Sequence, residues 1–274
     1  MGGSLTGSER FWRIALWVSA IICFAFLIVP IAAMLPLSIN DSQYLTYPLR
    51  GYTTRWFEEF FTSERWALSI RNSFFVGLTS AALATALGTL AALGLSRGYC
   101  PGSRAIMAVL LSPLIVPVVI YAVGLYFFFA PLGLTASYTG IILAHAALGA
   151  PFVVITVLAS LTGFDWNLAR AGASLGAGPV RVAFRVIFPM ILPGMISGAL
   201  FAFATSFEEV VVILFIAGPE QRTIPREMFS GLRENISPTI AAAAAVLVVF
   251  SVALLTAVEL LRRRSERLRG MTPR

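Results

Sequence analysis

Residues 163–193 read GFDWNLARAGASLGAGPVRVAFRVIFPMILP, the longest interruption of the apolar pattern in the second half of the chain. The interruption lies between two hydrophobic runs, each long enough to cross a bilayer. Asp165 is placed as a helix N-cap, and Leu168, Ala171, Gly172 and Leu175 follow at i, i+3, i+4, i+7 spacing up to a stop at Gly176. Gly178-Pro179 restarts the chain, because proline suits a first helical turn. Val180, Ala183, Phe184 and Ile187 then form a second stripe, with Arg181 and Arg185 on another face. The spacing predicts two short amphipathic helices joined by a glycine turn, a compact knob between two spans. Two roles fit such a knob: docking on another protein, or lying along the lipid headgroups.

Composition extends this reading to the whole chain. At 58% hydrophobic and 12% charged residues, the sequence is that of an all-α integral membrane protein with no large soluble domain to house chemistry, and no residue stands out as catalytic. Its net charge of +7 comes from arginine alone, since there is no lysine. The placement of those arginines points to membrane topology and away from nucleic acid. Without lysine there is no G-x-x-x-x-G-K-[ST] loop, so ATP, if it drives this protein, is bound and hydrolysed by another chain. Cys23 and Cys100 fall on different predicted helices and are expected as free thiols, and no metal-ligand spacing accompanies them.

Apolar runs extend over about residues 14–37, 68–95, 105–129, 140–161, 191–216 and 238–261, predicting six transmembrane helices. The first exceeds the apolar region of a secretory signal and is taken as a retained span despite Pro30 and Pro36. Between 40 and 64 lies an aromatic stretch with Tyr44, Tyr47, Tyr52, Trp56, Phe57, Phe60 and Phe61, read either as an interface-anchored loop and short helix or as a substrate contact. Ala84, Gly88 and Ala92, and Gly194, Gly198, Ala202 and Ser206, form small-residue ladders that let helices approach closely. Pro113 and Pro117 are expected to kink or break the third run locally. His145, the single histidine, is either a hydrogen-bonded packing residue or part of a proton relay.

Six spans put both termini on one side. If that side is the cytoplasm, about 13 of the arginines lie inside and about 7 outside, as the positive-inside rule requires. The chain then divides into an N-terminal span and external loop (1–66), a five-helix core containing the knob (67–262), and a basic tail (263–274) suited to the anionic leaflet.

Glu208 and Glu209 stand inside the fifth run. Insertion of an ionisable group costs a few kcal/mol, so the pair must face protein, water or a cation. On a continuous helix Glu209 shares the face of Ser206 and Ala202, while Glu208 points roughly 100° away. Either the pair bonds to a neighbouring helix or, with Ser206, it forms a cation-attracting constriction. The loop from Glu220 to Glu234 carries Arg222, Arg226 and Arg233, and is read as a contact surface for an external protein or as a solvated loop.

The knob resembles the cytoplasmic loop of bacterial ABC importer permeases, E-A-A, three residues, Gly, nine residues, I-x-L-P. Arg170-Ala171-Gly172, Gly176, and Val186, Phe188 and Pro189 occupy those positions without a gap. From Arg71-Asn72-Ser73 onward the chain is similar to the spermidine/putrescine type of this family, through SFEEVVVILFIAGP at 206–219 and SGLRENISPTIAAAA at 230–244. The resemblance implies a type I importer permease fold, six spans and a cytoplasmic coupling helix over Phe164–Gly176. Its ATPase-docking residues would be Leu168, Arg170, Ala171, Gly172, Leu175 and Gly176. It further implies a second homologous permease, two ATPase subunits that hold ATP and magnesium, and an external solute-binding protein. The setting would be the bacterial inner membrane, and this chain would bind no cofactor. A secondary transporter or channel coupled through Glu208, Glu209 and His145, and a membrane scaffold that recruits a cytoplasmic protein, are the competing classes.

Overall fold

A computed structural model describes residues 7–97, 101–234 and 236–268, most of them helical. Cys100, Arg269 and the end of the basic tail lie outside the described residues, as do the side chains of Arg262, Arg263, Arg264 and Arg267. In order, the helices are α1 (Gly7–Leu37), α2 (Arg55–Thr62), α3 (Glu64–Ser96), α4 (Ser103–Ile115), α5 (Val118–Phe129), α6 (Tyr138–Thr162), α7 (Trp166–Ser174), α8 (Pro179–Val182), α9 (Phe188–Glu208), α10 (Val211–Ile216), α11 (Ile224–Glu234) and α12 (Pro238–Leu268). They gather into two compact units, Met1–Thr62 with Gly231–Leu247, and Ser63–Ser230 with Val248–Arg274.

In the first unit α1 is apolar on every side and buries only Leu37. The loop after it winds around the buried Asn40. The Asn40 side chain donates to Thr46 O (3.1 Å) and accepts from Arg50 N (3.2 Å), while its carbonyl accepts from Trp56 Nε1 (2.7 Å). Of the aromatic stretch, Trp56 and Phe60 are thus core, whereas Tyr44, Tyr47, Tyr52 and Phe61 remain exposed.

The second unit is built on α3, α6 and α9, and the small-residue ladders explain why they meet. A Cβ on Gly149 of α6 would lie 2.8 Å from Ala202 Cβ of α9 and 3.4 Å from Ala84 Cβ of α3. One on Gly198 would lie 2.8 Å from Val153 Cα, and one on Gly88 would lie 2.8 Å from Val153 Cβ. Backbones this close leave no room for a side chain, which is how helices gain van der Waals contact where lipid removes the hydrophobic drive between them. Index sums are nearly constant between α6 and α9, so these run antiparallel, whereas α3 and α6 keep a constant offset and run parallel. Phe74, Phe203, Phe207 and Phe250 close one side of the bundle, with Phe207 and Phe250 centroids 4.8 Å apart.

Among the described residues five helices are long and apolar enough to cross a membrane, and six spans result if the bent pair α4–α5 counts as one. Of the two outcomes expected at the prolines, a kink or a break, the third run shows the break: α4 and α5 meet at 109°. Val116 is extended because proline follows it, and Pro117 serves as the N-cap of α5. At 13 residues α4 spans only about 20 Å, short of the ~30 Å hydrocarbon core.

The fifth run is also discontinuous. The expected single helix over 191–216 ends at Glu208, Glu209 is extended with ψ 122°, and α10 begins again at Val211. Glu209 therefore does not continue the Ser206–Ala202 face of one helix, as the uninterrupted pattern predicts.

Candidate functional site

The first half of the knob forms as its sequence predicts, whereas the second is not a separate short helix, because Pro179–Glu208 runs on as one 30-residue helix through a π-helical turn. Asp165 Oδ1 accepts from Asn167 N at 2.9 Å, capping α7, which satisfies an amide that the first turn would otherwise orphan. Gly176 holds φ +82°, a left-handed conformation that glycine adopts freely, and Gly176 N and Ala177 N close the helix onto Ala173 O and Gly172 O. Pro179 starts α8. Residues Ala183–Ile187 then form a π-helical turn before α9, with Phe188 N bonded to Ala183 O. Pro189 accounts for this wider turn: its ring would strike the carbonyl of residue 185 in a regular helix, and it has no N–H to complete the ladder.

Two opposite faces of α7 separate the predicted docking residues. Leu168 and Leu175 point outward, 44% and 89% exposed, with exposed Ala171 between them, and Val180 and Phe184 extend the apolar surface. Gly172 faces inward, where a Cβ would touch Val182 at 3.4 Å, and Gly176 makes the turn. Arg170 lies on the other face. With Trp166, Ala169 and Ala173 it lines a cleft of about 570 Å³ that reaches Arg97 at the end of α3. The sequence pattern had no means of pairing Arg97 with the knob, since the two are joined only through the fold.

The acidic pair also divides. Glu209 Oε1 accepts from Val211 N (2.7 Å) and Val212 N (3.0 Å), so this carboxylate caps α10 inside the fifth span. The break thus supplies the charge with oriented amide donors. Glu208 is exposed and holds one long hydrogen bond, from Ser251 Oγ at 3.4 Å. Ser206 is buried and meets His145 Nδ1 at 2.7 Å, joining α9 to α6. The register that sets Gly88 against Val153 and Ala84 against Gly149 brings Ser80 level with His145. The Ser80 Oγ and His145 Nε2 atoms are buried without a protein partner among the described residues.

In the loop after α10, Arg222 and Arg226 are engaged by residues close to them in the chain. Arg226 Nη1 donates to Ala217 O (3.1 Å) and Gly218 O (2.7 Å), capping the end of α10. Burial and the neighbouring Arg222 pull its guanidinium below the usual arginine range, and Glu227 opposes them. Glu227 is buried between Arg65 and Arg222, and Arg233 also has a partner. The sequence reading passed over Asn72, whose amide donates to Glu220 O (2.8 Å) and Arg222 O (2.9 Å) and accepts from Tyr138 Oη (2.9 Å). An amide within an apolar run was the available signal. Asn72→Leu removes these three bonds, each worth about 1 kcal/mol, and should lower the thermal midpoint in detergent and open residues 217–224 to limited proteolysis. An unchanged cleavage pattern would show that the loop is held by other contacts.

Apolar helices packed through glycines, with a capped knob between two of them, make a multi-pass helical bundle. The chain belongs to the family of binding-protein-dependent transport system inner membrane components, which matches residues 84–267. It is 29% identical to the spermidine/putrescine transport system permease protein PotC of Haemophilus influenzae, covering 89% of this chain and 95% of that protein. With the putrescine transport system permease protein PotI of Escherichia coli it shares 31% identity over 86% of this chain and 85% of the other. The fold is similar to that of a bacterial ABC transporter involved in the import of the acidic polysaccharide alginate, with TM-score 0.72 at 15% identity, covering 94% of this chain and 99% of that one. The MetNI methionine ABC transporter gives TM-score 0.53 at 19% identity, with 75% and 95% covered.

Proposed function

We propose that this chain forms one half of the translocation pathway of an ATP-driven importer for a small cationic solute such as a polyamine. It would work by alternating access, coupled through the knob to a separate ATPase. The observation that carries this reading is the outward face of α7 and α8. Leu168, Ala171 and Leu175 are exposed on a helix whose ends are fixed by Asp165 and Gly176, and Val180 and Phe184 are exposed just after the turn. A rigid apolar surface between two spans suits a partner that must push, because a flexible loop would absorb the motion. The names of the PotC and PotI relatives support a polyamine, and the exposed Glu208 carboxylate supplies a charge that a cation would meet. In this reading both termini are cytoplasmic and a second, homologous permease completes the pathway. Two ATPase subunits carry ATP and magnesium, and an external binding protein delivers solute. An alginate transporter of similar fold was crystallised in complex with a periplasmic protein, which supports the last of these.

The test is to tag the chain, extract it gently from its native membrane, and identify what copurifies with the native sequence and with Ala171→Trp/Leu175→Asp. The native chain should bring down an ATPase and a second permease. The variant should keep the permease and lose at least about nine-tenths of the ATPase, since a buried interface residue replaced by a charge forfeits several kcal/mol. Recovery of no ATPase, together with solute flux in liposomes lacking ATP, would instead establish an ion-coupled transporter.

A further inference from the structure

We infer that the cleft behind the knob is a site for an anionic phospholipid, its phosphate held between Arg97 and Arg170. Position is the first argument. The cleft opens where α3 ends and where the chain re-enters the bundle at Ile187, so it lies at the depth at which spans give way to headgroups. Its lining is the second. Apart from the two guanidiniums and Trp166, the walls include Ala169, Ala173 and Val182, and none of the described residues that line it is a carboxylate. Two positive charges over an apolar floor match a phosphate attached to a glycerol and acyl chain, whereas a free phosphate would leave that floor wet.

The arginines are also oriented by neighbours that leave their charge available. Arg97 sits at the C-cap of α3 with its guanidinium 5.5 Å from the Trp166 ring centroid, and Arg170 Nη1 reaches Asn167 Oδ1 at 3.5 Å. Neither contact neutralises a guanidinium. A tryptophan beside the ring of headgroups is the residue type that membrane interfaces favour. Arg170 thus serves the back of α7 while Leu168 and Leu175 serve its front, so the lipid would wedge α7 against the end of α3 without competing for the outward face. The inference does not depend on what that face binds.

The experiment is native mass spectrometry of the chain, extracted with its partners and reconstituted in nanodiscs of phosphatidylcholine with or without phosphatidylglycerol. Arg97→Gln/Arg170→Gln is compared with Arg181→Gln/Arg185→Gln, which removes two exposed arginines outside the cleft. The expected result is that the native chain and the second variant retain phosphatidylglycerol, and that the cleft variant retains at least tenfold less while its partners stay bound. Equal retention by all three overturns the site. Equal loss in both variants overturns it too, since attraction would then be diffuse. Loss of a protein partner from the cleft variant with lipid unchanged would show the cleft to be a protein contact.

Discussion

Gly198→Leu is expected to eliminate the folded chain. A Cβ at this position would stand 2.5 Å from Thr156 Oγ1 and 2.8 Å from Val153 Cα, and the second of these is backbone that no rotamer change can move. Forcing α6 and α9 apart also loosens the Gly149–Ala202 contact one turn away and the Ser206–His145 hydrogen bond beyond it. Overpacking costs about 1–3 kcal/mol where a core can yield, and here several contacts must yield together. Monodisperse protein recovered by size exclusion should fall at least tenfold. Gly94 provides the control: nothing lies within 4 Å of a Cβ built there, so Gly94→Leu should be recovered at the native level. If Gly198→Leu behaves like Gly94→Leu, the close three-helix core described above is wrong.

Separating the two glutamates is the second large effect. Glu209→Leu takes the acceptor from Val211 N and Val212 N inside a span, and each orphaned amide costs about 1–3 kcal/mol. Stability should drop steeply, while Glu209→Gln, which keeps an acceptor oxygen, should retain much of it. Glu208→Gln should fold normally, because its carboxylate is exposed and has one long bond to Ser251. What it should lose is transport, with uptake of putrescine falling tenfold or more, since a divalent cation meets a neutral amide where it had met a charge. Normal putrescine uptake by correctly assembled Glu208→Gln would remove this residue from the pathway.

Features that depend on local chemistry were legible in the sequence. The Asp165 cap, the Gly176 turn, the Pro179 start and both small-residue ladders each rest on residues within a few positions of one another, and each is present. The breaks were less legible. Pro113 and Pro117 signalled a kink or break but not its 109° size, because how far a chain bends after proline is set by what it packs on. At Glu209 there is no proline at all, and apolar residues on both sides concealed the interruption. The clamp from Asn72 joins residues about 150 positions apart, a separation for which helical periodicity carries no signal.

The two broken spans lead into α5 and α10, and these short helices pack on each other through Ala122, Phe129, Val212, Ile213 and Ile216. Neither is tied to the helix before it by an unbroken ladder of backbone bonds: the ladder stops at Val116-Pro117 and at Glu209-Val210. The pair rests on Val76, Ile141 and Leu148, contacts without preferred direction. Its polar ties include Tyr121 Oη on Ala144 O at 2.8 Å, Ala136 N on Ile216 O at 2.7 Å and Arg226 Nη1 on Ala217 O at 3.1 Å. One chain thus holds both a frame packed tightly through glycines and a pair of short helices hung on interruptions, the two properties that the proposed alternating access asks of it.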